Sequence, residues 1–156
     1  MNYIHDICKR YNITNYTIND DESIDVDGDV DLSRFELTEL PLRFNKVTGY
    51  FNCGDNNLTT LKGSPRWIGD YFRCSFTNIT SLEFSPDYVG GYFLIIGCYG
   101  VKDNYCETEI VGGFHTSSYQ DGLIIKEGDS LATNYNEWRK LLKRKSTLNE
   151  LYTRYI

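Results

Sequence analysis

The sequence holds little of what catalysis, metal binding or membrane insertion requires. There are only two histidines, His5 and His115, and neither lies in a nucleophile-and-base arrangement with a nearby cysteine or aspartate. No catalytic residue is expected. None of the five cysteines (Cys8, Cys53, Cys74, Cys98, Cys106) sits in a Cys-x-x-Cys pair, which removes the usual spacing of zinc and redox sites. No apolar run approaches the roughly 18 to 20 residues of a bilayer span, and the opening MNYIHDICKRYNIT lacks the apolar centre of a signal peptide. A cytoplasmic protein without a membrane partner is expected. Basic charge is also in deficit, with 16 Lys and Arg against 22 Asp and Glu and a net charge of −6. A nucleic-acid partner needs a concentrated basic face, so none is expected.

What is present is an uneven charge and a period. Residues 1–40 hold ten acids and three bases, whereas residues 135–156 hold six bases and two acids. Between them the chain repeats. From Gly28 it reads GDVDLSRFELTELPLRFNKVT, from Gly49 GYFNCGDNNLTTLKGSPRWIG and from Asp70 DYFRCSFTNITSLEFSPDYVG, and at Gly91 it starts again with GYFLIIGCYG; the interval is 21 residues. Five apolar columns stay in register: Val30/Phe51/Phe72/Phe93, Leu32/Cys53/Cys74/Ile95, Leu37/Leu58/Ile79, Leu40/Leu61/Leu82 and Val47/Ile68/Val89/Ile110. The glycines at 28, 49, 90, 91, 112 and 113 fall at the junctions, where tight turns are needed; they form no phosphate-cradling loop, and no cofactor is expected.

Each unit opens with a period-two alternation that suits a short strand. Twenty-one residues are too few for a strand and a full helix, so the return limb is read as extended, polyproline-like or one turn of 3₁₀ helix. The fold class is mostly β: a short solenoid of parallel strands with an N-terminal helix and strand cap over 1–27, repeats over 28–114 and a C-terminal cap over 115–156. The N-terminal helix is expected at residues 3–11, where Ile4, Ile7, Cys8 and Tyr11 share helical spacing. Another strand is read at 123–125. An amphipathic helix is expected after Asn134, carrying Tyr135, Trp138, Leu141 and Leu142 opposite the cluster Arg139, Lys140, Lys143, Arg144 and Lys145. That helix serves as a cap or as a homodimer contact.

Asp25, Asp27, Asp29 and Asp31 with Glu36 superficially match a calcium loop. The sixth position of such a loop needs glycine and here holds Val30, so the aspartates are read as outward members of the first strand and no metal site is expected. The alternation then defines a surface. With Phe51, Phe72 and Phe93 inward, Tyr50, Tyr71 and Tyr92 point out with Asn52, Arg73 and Leu94, and with Gly54, Ser75 and Ile96. A tyrosine ladder beside Asp29, Asp31 and Arg73 has the composition that protein-binding surfaces favour, so Tyr50, Tyr71, Tyr92, Asn52, Arg73, Asp29 and Asp31 are the candidate partner-binding residues.

The spacing of Phe51, Cys53, Asn56, Leu58 and Leu61, and of Val30, Leu32, Leu37 and Leu40, resembles the core of a leucine-rich repeat. More narrowly, SIDVDGDVDLS, LTELPLRFNKVTG and YNEWRK resemble the short leucine-rich-repeat proteins of tailed bacteriophages. The resemblance spans about residues 16–145. It implies a phage-encoded protein that binds a host protein in the bacterial cytoplasm, such as a defence or metabolic factor, without catalysing a reaction. The alternatives are a small-ligand binder with a pocket between residues 94–114 and the C-terminal helix, and an enzyme of unknown reaction. The family's ladder asparagine is present at Asn56 but is Phe35, Thr77 and Cys98 in the other units, so a broken ladder is expected.

Overall fold

The computed structural model describes residues 2–98, 100–101 and 108–116. Cys106, the strand expected at 123–125 and the C-terminal helix with its basic cluster lie outside the described residues.

The chain opens with α1 (Asn2–Arg10), which buries Ile4 and Cys8 one turn apart. Lys9 and Arg10 occupy its last turn, where positive charge suits the dipole. Asn12 adopts a left-handed φ of 54°, and Ile13 N–H donates to the Cys8 carbonyl at 2.8 Å while Asn12 N–H reaches that of Lys9 at 3.4 Å. This is a Schellman stop, and the residue that follows the left-handed turn, Ile13, drops into the core. β1 (Tyr16–Ile18) then pairs antiparallel with β2 (Ile24–Val26). Helix and hairpin are the expected N-terminal cap, although β2 already belongs to the solenoid, which therefore begins at Ile24 rather than Gly28.

From β2 onward each turn contributes two strands. Sheet A contains β1, β2, β4 (Phe44–Val47), β6 (Trp67–Ile68), β8 (Tyr88–Val89) and β10 (Glu109–Ile110). Sheet B contains β3 (Val30–Asp31), β5 (Phe51–Asn52), β7 (Phe72–Arg73), β9 (Tyr92–Ile95) and β11 (Gly113–Thr116). Every described pairing after the first hairpin is parallel. The registers Val26↔Val47, Val47↔Ile68, Ile68↔Val89 and Val89↔Ile110 keep the 21-residue step. So do Val30↔Phe51, Phe51↔Phe72, Phe72↔Phe93 and Phe93↔Phe114. A mostly β, parallel solenoid with leucine-rich-repeat character is what the residues form.

One feature differs from the reading of the sequence. The return limb is not merely extended: its last residues pair from turn to turn and build sheet A. The fourth unit keeps the register, with Phe114 aligned to Phe93 at 21 residues. The corner between the two sheets is tight enough to demand glycine. A Cβ on Gly69 would lie 2.1 Å from the Thr48 carbonyl oxygen, and one on Gly90 would lie 2.2 Å from that of Gly69. Side chains there would push adjacent turns apart, which the ~4.8 Å strand spacing forbids. The corner after sheet B has its own period, with left-handed φ at Arg34, Asp55, Phe76 and Gly97.

The core lies between the sheets and the leucine-bearing limb. Phe51, Phe72 and Phe93 are fully buried, with ring centroids 6.0 Å apart for the first pair and 4.9 Å for the second. Leu58, Leu61, Ile79 and Leu82 close the third side. Each column the period marks as inward is buried along its described length, except that Leu37 is only partly covered where the stack starts. Hydrophobic burial, not backbone pairing of two-residue strands, is the main driving force for stacking.

Candidate functional site

Below the candidate face runs a column of buried polar side chains. Asn56 Oδ1 accepts from Phe35 N–H at 3.1 Å and Leu37 N–H at 3.0 Å, so it holds the preceding turn. Its Nδ2 donates to the carbonyls of Leu32, Cys53 and Gly54 at 2.7, 3.0 and 3.2 Å. One turn on, Thr77 Oγ1 donates to the Cys74 carbonyl at 2.8 Å, and next Cys98 Sγ donates to the same carbonyl at 3.2 Å. The asparagine ladder is thus broken after Asn56: Thr77 Oγ1 bonds a carbonyl of its own turn, and only the Cys98 thiol reaches back to the turn before it. Only Phe35 leaves the column, half-exposed with its ring edge-on to Tyr11 at 5.0 Å.

On this support stands the outer face of sheet B. Asp29, Tyr50, Tyr71 and Tyr92 follow one another at 21-residue steps. The Tyr50 and Tyr71 rings are parallel within 4°, with centroids 4.7 Å apart, close to the strand spacing itself. Tyr92 follows in the column and is half-exposed. Burial raises the Tyr50 phenol above its usual range, and the carboxylates of Asp31 and Asp29 raise it further. Burial also raises that of Tyr71, followed by Tyr50, Asp31, Asp70 and Asp29. Both phenols therefore lie in the field of these aspartates.

The neighbouring column is Asp31, Asn52, Arg73 and Leu94. Asp31 Oδ1 accepts from Ser33 N–H at 2.9 Å and Asn52 Nδ2 at 3.2 Å. Arg73 Nη1 donates to Asn52 Oδ1 at 3.3 Å and meets Asp55 Oδ2 at 3.0 Å. Asn52 is 9% exposed, so it braces Asp31 and Arg73 rather than offering contact area of its own. Gly54 and Ser75 are buried although they share the outward parity, while Leu94 and Ile96 are half-buried. The aspartates of the first turn each serve a separate bond: Asp25 accepts from Asn19 and Asn45, Asp27 from Thr48, and Asp29 from Tyr50 N–H. Among the described residues no group of three His, Cys, Asp or Glu is placed to hold a metal ion.

A second outward column escaped the sequence reading. On sheet A, Lys46, Trp67 and Tyr88 align; the Trp67 and Tyr88 rings stack at 5.4 Å and 7°, and Lys46 Nζ lies 4.9 Å from the Trp67 centroid. Its only signal was the 21-residue spacing of three unlike residues.

Among the described residues the cysteines lie in the interior. Cys8, Cys53, Cys74 and Cys98 are free thiols and fully buried. Burial pushes the Cys53 thiol far up. The Cys74 thiol and, less strongly, the Thr77 hydroxyl pull that of Cys98 down to about 6, but at zero exposure it has nowhere to meet a substrate. His5 Nδ1 lies 2.6 Å from Tyr16 Oη, a bond that ties α1 to β1. Among the described residues no helix is long and apolar enough to cross a membrane. Comparison with family models, curated proteins and solved structures finds no match. The class that the fold and this face define is a capped, two-sheet β-solenoid of leucine-rich-repeat character.

Proposed function

We propose that this is a non-catalytic binding module, phage-encoded, whose outer sheet B face recognises a host protein. The observation that carries the reading is the coplanar Tyr50–Tyr71 stack, fixed on a hydrogen-bonded sheet beside Asp29, Asp31 and Asp70. Tyrosines held this way offer broad contact area with two side-chain torsions each, already ordered before binding. Arg73 and Asn52 keep the flanking polar groups in place, so little rotamer entropy remains to be lost on association. Host and phage origin enter through the resemblance of the repeats to short phage leucine-rich-repeat proteins.

The test is a tagged pull-down from bacterial lysate with two matched double variants. Tyr50→Ala with Tyr71→Ala removes the sheet B stack; Trp67→Ala with Tyr88→Ala removes the sheet A stack. One dominant protein should co-purify with the parent and the second variant and be lost with the first, while circular dichroism shows all three folded. Equal capture by both variants would refute the face assignment.

A further inference from the structure

We propose that the basic stretch at residues 139–145 of this same chain docks, within one molecule, on the acidic tyrosine face of sheet B. The two outer faces treat their acids differently. Around sheet A two acids are paired with cations: Asp21 with Arg43 at 2.9 Å and Asp87 with Arg66 at 2.8 Å. On sheet B the cation beside the stack, Arg73, is already held by Asp55 and Asn52. Among the described residues, Asp29, Asp31 and Asp70 make no ion pair. An aromatic stack flanked by three carboxylates without a cationic partner attracts cations through Coulomb interaction.

The complement is in the sequence. Arg139, Lys140, Lys143, Arg144 and Lys145 fall within seven positions, in a chain whose net charge is otherwise negative. The path is short as well. β11 ends at Thr116 as the last strand of sheet B, so the chain leaves the described fold on the sheet that bears the face. β7, which follows Tyr71, is two strands away, about 10 Å at the usual spacing. Residues 117–138, 22 in number, would span about 25 Å even as a flexible coil. A tether of that length would hold the basic stretch at an effective concentration of roughly millimolar at the face. An outside protein bound there would have to displace it. The inference goes beyond the binding-module reading and does not need it to hold.

Zero-length carbodiimide coupling tests this on the full, unsubstituted chain, using an equal mixture of ¹⁴N- and ¹⁵N-labelled protein at low ionic strength. Peptide mapping should find amide links from Asp29, Asp31 or Asp70 to Lys140, Lys143 or Lys145, both halves carrying the same isotope. Their yield should fall several-fold at about 1 M salt, where the screening length is about 3 Å. Links from these lysines only to other acids, no links at all, mixed-isotope links showing contact between copies, or a yield indifferent to salt would each overturn the proposal. The pull-down above can fail while these links form, and the reverse.

Discussion

Replacing Asn56 with alanine puts the load on one side chain that joins two turns. Its five hydrogen bonds reach Phe35 and Leu37 in the preceding turn, Leu32 at that turn's strand, and Cys53 and Gly54 in its own. Phe35 is half-exposed and Leu37 only partly covered, so water can replace the amide at their N–H groups. Leu32 and Cys53 are fully buried, and their carbonyls would lose that donor out of reach of solvent. An orphaned buried polar group costs about 1–3 kcal/mol, so two of them, with the small cavity, place the loss near 4 kcal/mol. With a urea slope of about 2 kcal/mol/M, the unfolding midpoint should drop by about 2 M. Tyrosine and tryptophan fluorescence at 25 °C would follow the transition.

The comparison that makes this sharp is Thr77→Ala, which removes the hydroxyl's bond to the Cys74 carbonyl, about 1 kcal/mol at the usual net worth of a hydrogen bond. Asn57→Ala, at the exposed neighbouring position, should stay within about 0.5 kcal/mol. Asn56→Ala losing less than about 1 kcal/mol, or no more than Thr77→Ala, would show that the ladder is not what holds the first turns in register.

Two further perturbations test the corner and the face. Gly69→Ala places a methyl 2.1 Å from the Thr48 carbonyl oxygen and must separate two turns; a loss of about 3 kcal/mol, read as a melting point lower by about 10 °C, is expected, and an unchanged melt would contradict the close approach. The phenols of Tyr50 and Tyr71 are raised in the fold by burial and by the aspartates, so their contribution to stability is intact below about pH 10 and is lost as the pH rises through the folded values. Phenolate absorbance should show Tyr50 and Tyr71 titrating late together with Tyr16, and Asp29→Asn with Asp31→Asn should bring the first two earlier and leave Tyr16 unmoved; no change would remove those carboxylates from the face.

Much of this was legible because burial leaves a periodic mark. Phe51, Phe72 and Phe93 repeat at 21 residues because each fills the same space one turn higher, and their outward neighbours Tyr50 and Tyr71 follow from strand parity alone. Sheet A was hidden for the opposite reason. β6 and β8 are two residues long, too short for an alternation, and their outward residues Lys46, Trp67 and Tyr88 differ in size and charge. They are related by where they stand and not by what they are. The break in the asparagine ladder was legible from Thr77, whose hydroxyl bonds a carbonyl of its own turn; that the Cys98 thiol would still reach back to the Cys74 carbonyl was not. Parity also predicts the direction of a side chain but not its cover, which is why Asn52 points out and is nevertheless enclosed by Asp31 and Arg73.

The short unit explains why the face and the core can vary independently. In a longer repeat a helix on the return limb shields one side of the sheet; here 21 residues leave room only for a second strand, so both sheets turn an outer face outward. Inward columns answer to volume, and outward columns only to their neighbours one turn above and below, as the parallel stacking of Tyr50 on Tyr71 and of Trp67 on Tyr88 illustrates. A change at Tyr71 therefore alters one tile of the sheet B face and leaves Phe72, behind it, in place. An architecture of that kind can change its outer faces without being selected again for folding.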